Sequence, residues 1–162
     1  VRELHQVRVE VARTRSGYRG QANAPALGVL NGDNMTDKPM MTIWRTYTFE
    51  AAHFLPLAGV GHKCARVHGH NWRVEVAVRG PIDERRGWVT DYAALDAVVG
   101  TVLGELDHRT LNDVTGLDNP TSEGVVLYLL ARLTLALDAL RVTLVRLSVS
   151  ENERSGAMWE VR

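Results

Sequence analysis

Between His53 and His70 the chain reads HFLPLAGVGHKCARVHGH, which holds four of its six histidines and its only cysteine. His68 and His70 form a His-x-His pair. On a strand such a pair puts both imidazoles on one face, about 6.5 to 7 Å apart along the chain. His53 ends the preceding strand pattern, and antiparallel pairing would bring it to the other two. Three imidazoles that leave a fourth position open are the arrangement of a catalytic zinc site rather than a structural one. The same spacing also fits three ordinary strand-end histidines. His62 offers a further nitrogen but lies mid-loop beside Gly61.

A lone cysteine is most often a small buried hydrophobe. Cys64 instead sits in a glycine-containing loop between Lys63 and Arg66, with a candidate cation nearby. Each of these favours thiolate. Held off the metal, the thiolate can take a proton from a metal-bound substrate. Placed on the metal, it would fill the fourth position and close the site. The sequence leaves both open. Asp107-His108 reads either as a helix-terminal histidine complementing the helix dipole or as a carboxylate that orients a histidine for proton transfer. Glu151 is either a surface residue at a strand end or a buried acceptor for a polar ligand edge.

The elements that must position these groups begin near Thr42. In TIWRTYTFEAAH, Tyr47, Phe49 and Ala51 share a face with His53. In HNWRVEVAVRG, Trp72, Val74, Val76 and Val78 share the phase of His68 and His70. Thr90 or Asp91 caps a helix whose apolar residues, from Tyr92 to Leu106, recur at i, i+3, i+4 and i+7, ending at Asp107-His108. Pro120 with Thr121 or Ser122 opens a second helix to about Leu137. That helix is apolar nearly all round, which predicts cover by the sheet on one side and by a neighbouring subunit on another. A third strand puts Val145, Leu147 and Val149 on a face ending at Glu151, and AMWEVR forms a fourth. The order is ββααββ: an α+β domain, an antiparallel sheet with both helices on one face.

At 162 residues the chain is one domain by size. Residues 1–41 are rich in Gly, Pro, Asn and Asp toward their end and read as an N-terminal extension, disordered or the product of an over-extended start, ahead of a catalytic domain at 42–162. The formal net charge is zero, so no basic excess argues for nucleic acid. No run of 18 apolar residues suggests a membrane span. A single cysteine and no secretory pattern fit a reducing cytoplasm.

Together FEAAH, CARVHGHN, LDH, NPTSE and a strand ending in Glu resemble the 6-pyruvoyl-tetrahydropterin synthase family, from about Ile43 to Val161. The three residues between Cys64 and His68, and the segment GLDNPTSE, resemble its bacterial branch, the 6-carboxy-5,6,7,8-tetrahydropterin synthases of queuosine biosynthesis. The resemblance implies the tunnelling (T-) fold, with subunits joined as a trimer or hexamer and sites between them. It implies that His53, His68 and His70 bind Zn²⁺, that Cys64 is the general base with Asp107 and His108 as partners, and that Glu151 anchors the pterin near Thr121 or Ser122. The anchoring glutamate is expected from a neighbouring subunit. The implied substrate is 7,8-dihydroneopterin triphosphate, and the products are 6-carboxy-tetrahydropterin, acetaldehyde and triphosphate. Lys63 and Arg66 are candidates for the triphosphate. Trp72 stands where Tyr or Phe is more usual, and Asn152 where Thr is. The competing readings are a 6-pyruvoyl-tetrahydropterin synthase proper, without carbon–carbon cleavage, and a non-catalytic zinc- or pterin-binding protein of this fold.

Overall fold

The computed structural model describes residues 38–162. The extension read at 1–41 lies outside the described residues as far as residue 37. The first strand, β1 (Met40–His53), starts two residues before the expected Thr42. It pairs antiparallel with β2 (His68–Pro81) along its full length, with Phe49 opposite Trp72, Ala51 opposite His70 and His53 opposite His68. Residues directly opposite in an antiparallel pair share a face. One register therefore puts all three histidines above the apolar residues of both strands.

After β2 come α1 (Tyr92–Leu103), a two-residue strand β3 (Arg109–Thr110), α2 (Ser122–Leu137), β4 (Thr143–Asn152) and β5 (Ser155–Glu160). The sheet order is β3-β1-β2-β4-β5. The expected antiparallel sheet with two helices is thus observed, with one addition: β3 runs parallel to β1, at Ala51 and Ala52. Phe49, Trp72, Val74, Val76, Val78, Leu147 and Val149 from the sheet are buried against Leu95, Val99, Val125, Leu129 and Leu133 from the helices. Arg45 grips Asp96 of α1 with two hydrogen bonds of 2.9 and 2.7 Å, fastening that helix to β1.

Two features differ from the sequence reading. The first helix stops at Leu103, not at Asp107-His108. Its last turn tightens, with Leu106 N–H bonding Leu103 O at 2.9 Å, and His108 takes a left-handed φ of 57°. The reason is competition from β1. Asp107 Oδ1 accepts Glu50 N–H at 2.9 Å, and His108 N–H donates to Glu50 O at 2.6 Å. In β4 the alternation breaks, because the pairing steps from Ala77–Arg146 to Val78–Leu144. This bulge leaves Val145 unpaired with β2 and turns Leu144 inward instead. The α2 helix buries one face through Val125, Val126, Leu129, Leu133 and Leu137, and Leu127 and Leu135, which the sequence reading assigns to cover by a neighbouring subunit, are 64% and 75% exposed within the chain.

Candidate metal and substrate site

The sheet and the start of α2 meet over His53. Its ring is 1% exposed, and its Nδ1–H donates to Pro120 O at 2.8 Å. That bond fixes the tautomer and leaves Nε2 as a free acceptor. Gly124 makes the approach possible, since a Cβ there would lie 2.7 Å from Asn119 O, within the segment that delivers the Pro120 carbonyl. On the other side, Asn112 grips the backbone just after His53: Phe54 N–H donates to Asn112 Oδ1 and Asn112 Nδ2 donates to Phe54 O, both at 2.9 Å.

His68 is oriented similarly, its Nδ1–H donating to Arg66 O at 2.8 Å. His70 completes the cluster, with ring centroids 5.1 Å from His53 and 5.0 Å from His68. One nitrogen from each ring lies within 4.8 Å of the others. The Nε2 atoms of His53 and His70 are buried and have no hydrogen-bond partner. Burial is the main cause that holds both pKa values below the ordinary histidine range. Neutral imidazoles with unpaired, converging nitrogens are what a metal ion requires. The donor set therefore fits a zinc-type cation.

Glu151 ends β4 on the same side of the sheet. Its Oε2 is 3.9 Å from His70 Nε2, and Ser122 Oγ donates to its Oε1 at 3.2 Å. This carboxylate therefore stands beside the histidine cluster of its own chain. Thr121 is occupied otherwise, because its hydroxyl caps α2 by accepting Gly124 N–H at 3.1 Å.

Cys64 lies in a single 3₁₀ turn, Lys63–Ala65, in the loop joining the two histidine-bearing strand ends. It is half-buried and outside the three-nitrogen cluster. Its carbonyl accepts Leu55 N–H at 2.8 Å, and its N–H donates to His62 Nδ1 at 3.1 Å. His62 is thus a cap for the cysteine turn, exposed and away from the metal-type cluster.

Asp107 and His108 lie elsewhere. Glu50 alternates with Ala51, so its side chain points to the outer face of the sheet, away from His53. His108 Nε2 is 3.9 Å from Glu50 Oε2, and Nδ1 is 3.0 Å from Asp107 Oδ2. The Asp107 carboxyl is held below the usual range, first by the Glu50 N–H and then by His108. The His108 side chain is 75% exposed. It borders an open cleft of about 520 Å³ that Glu50, His70, Asn71 and Arg109 also line. His108 lies outside the three-nitrogen group of His53, His68 and His70.

Comparison with known proteins decides the family. Residues 42–161 match the 6-pyruvoyl tetrahydropterin synthase family model. The chain belongs to that family. A Synechocystis relative named 6-carboxy-5,6,7,8-tetrahydropterin synthase is 38% identical over 101 residues, covering 58% of this chain and 75% of the relative. A Pyrococcus furiosus relative named dihydroneopterin monophosphate aldolase is 37% identical over 113 residues, 70% of this chain and 91% of the relative. The structure of Caenorhabditis elegans 6-pyruvoyl tetrahydropterin synthase superposes with a TM-score of 0.69 at 29% identity, covering 77% of this chain and 98% of that one. Family members are enzymes, and those named 6-carboxy-5,6,7,8-tetrahydropterin synthase are lyases. The motifs identify the family correctly, and the T-fold follows from them.

Sequence reasoning missed Asn112 and the Pro120 carbonyl. Asn112 stands in a loop with nothing local to mark it, and a backbone carbonyl has no sequence identity at all. No helix among the described residues is long and apolar enough to cross a membrane.

Proposed function

We propose that the chain is a zinc-dependent 6-carboxy-5,6,7,8-tetrahydropterin synthase, converting 7,8-dihydroneopterin triphosphate to 6-carboxy-tetrahydropterin, acetaldehyde and triphosphate in the cytoplasm, for queuosine biosynthesis. The observation that carries this reading is the cluster of three imidazoles, two with orphaned buried nitrogens, beside the carboxylate of Glu151. His53, His68 and His70 would hold the ion. Bound there, zinc would supply Lewis acidity, which lowers the pKa of substrate hydroxyls.

The remaining roles fall to the chain. Glu151, steadied by Ser122, accepts two N–H groups of the pterin's guanidine-like edge in a charge-assisted pair. This sets the substrate side chain toward the histidines. Cys64 removes a proton from that side chain, its backbone held on both sides by Leu55 and His62. Asp107 and His108 face outward, which suits proton transfer at the site of a second copy in a trimer or hexamer. Thr121 serves this site indirectly, by starting α2 where Ser122 and the Pro120 carbonyl are needed.

The test is incubation of zinc-loaded protein with dihydroneopterin triphosphate and mass analysis of the products. Acetaldehyde together with the 6-carboxy product is expected. A 6-pyruvoyl product without acetaldehyde would overturn the reading in favour of the non-cleaving synthase. The similarity to the Pyrococcus furiosus aldolase gives a second reading, in which the substrate is dihydroneopterin monophosphate. Preferred turnover of the monophosphate would decide for it.

A further inference from the structure

A histidine that binds a metal almost always donates its other ring N–H to a fixed acceptor, which holds the ring in place. His53 does so to Pro120 and His68 does so to Arg66. His70 has no such hydrogen bond among the described residues. The Glu151 carboxylate approaches to 3.9 Å, but at Nε2, the orphaned nitrogen itself. The imidazole torsion χ2 is broad, so a ring without a bond needs another constraint.

Trp72 supplies one. It lies two residues after His70 on β2, on the same face, and is fully buried. Its indole meets the His70 ring at 80° with centroids 5.6 Å apart, and the His53 ring at 78° and 5.0 Å. These are edge-to-face geometries. The indole is itself immobilised. It stacks on Phe49 at 5.8 Å and 3°, and its Nε1–H donates to Ala51 O at 3.2 Å. Ala51 is the cross-strand partner of His70. The indole is therefore tied to the same residue pair that carries the ring it braces. Tyr or Phe at this place could offer a ring, but neither carries an indole N–H for that carbonyl.

We propose that Trp72 is a positioning residue of the metal site, fixing the His70 ring in place of the missing hydrogen bond and bracing His53 beside it. The proposal rests on the metal-site reading of the three histidines. It concerns binding of a divalent cation and is independent of which pterin is turned over.

The experiment compares wild-type protein with Trp72→Leu and Trp72→Phe, stripped of metal and reloaded. Zinc affinity is measured by competition with a chromophoric chelator, site geometry by Co²⁺ visible absorption, and packing by melting of the metal-free forms. Trp72→Leu is expected to bind zinc about 10- to 100-fold more weakly, with altered Co²⁺ bands, the loss typical of a missing orienting group. Trp72→Phe, which keeps a ring but loses the Ala51 bond, should fall between Trp72→Leu and wild type. If Trp72→Leu fails to fold, Trp72→Phe decides alone. Zinc affinity within twofold of wild type and unchanged Co²⁺ bands, whatever the melting temperature, would leave Trp72 as packing only and overturn the proposal. A wild-type chain that binds neither ion stoichiometrically would overturn the metal site, and this role with it.

Discussion

His53, His68 and His70 lie between sheet and helices, with two of the rings fixed by backbone carbonyls and Glu151 alongside. His108 stands on the outer edge of the same sheet, 75% exposed, with Asp107 and Glu50 as its side-chain partners among the described residues. The first group converges within one chain; the second stands between two carboxylates at an open cleft. Burial divides a cluster able to hold a metal ion from an exposed histidine flanked by carboxylates. The polar edge that Asp107 and His108 form with Glu50 is built for display. Under the proposed function the buried cluster is the closed half of a site and the exposed pair the open half, which a second copy would join.

The sharpest way to break this contrast is to remove a ring from the closed half. His70→Ala should abolish stoichiometric zinc and with it all measurable turnover, read by metal analysis and product formation. Zinc retained at one per chain would mean the cluster is incidental. Next come Cys64→Ala and His108→Ala, each expected to lower kcat about 10²- to 10⁴-fold with zinc retained, the usual worth of a general acid or base. Mixing Cys64→Ala chains with His108→Ala chains then tests the division directly. If His108 serves another copy, subunit exchange restores part of the activity. If both act within one chain, the mixture stays inactive.

A smaller effect is expected with pH. His53 and His70 have pKa values lowered mainly by burial, so below about pH 6.5 the unfolded chain takes up protons that the folded apo chain does not. Apo stability should be full above that pH and decline as the pH falls through the depressed values. Melting of apo wild type against His70→Ala between pH 7.5 and 5 checks this, and a flatter profile is expected for the variant. The smallest effect belongs to Thr121→Ala, which removes the α2 cap and should cost about 1 kcal/mol in denaturant unfolding with little change in zinc content. A large rise in KM there would instead give Thr121 a direct part in substrate binding.

Much of this contrast could be read before the fold was known, because strand alternation is insensitive to distance. Tyr47 to His53 and His68 to Val78 are in phase, and pairing the strand ends puts the histidines together. Glu151 was reachable for the same reason. The outward position of His108 was not, because helical periodicity runs on through Leu106 and gives no sign that β1 competes for Asp107 and His108. The bulge at Val145 hid itself similarly, since Val and Leu satisfy an apolar pattern in either phase. Asn112 and Pro120 act through or upon backbone groups, and such bonds leave no trace in residue type.

The bond from His53 to Pro120 spans 67 residues. The hairpin of β1 and β2 already contains all three histidines and Cys64, yet it lacks the acceptor that commits His53 to one tautomer. Closing so long a loop is slow compared with forming the hairpin. The geometry of the candidate metal site is therefore a late-folding feature. A hairpin fragment cut from this chain would carry every ligand and still present His53 through either nitrogen, and metal affinity measured during refolding would report the arrival of α2 rather than the pairing of the strands.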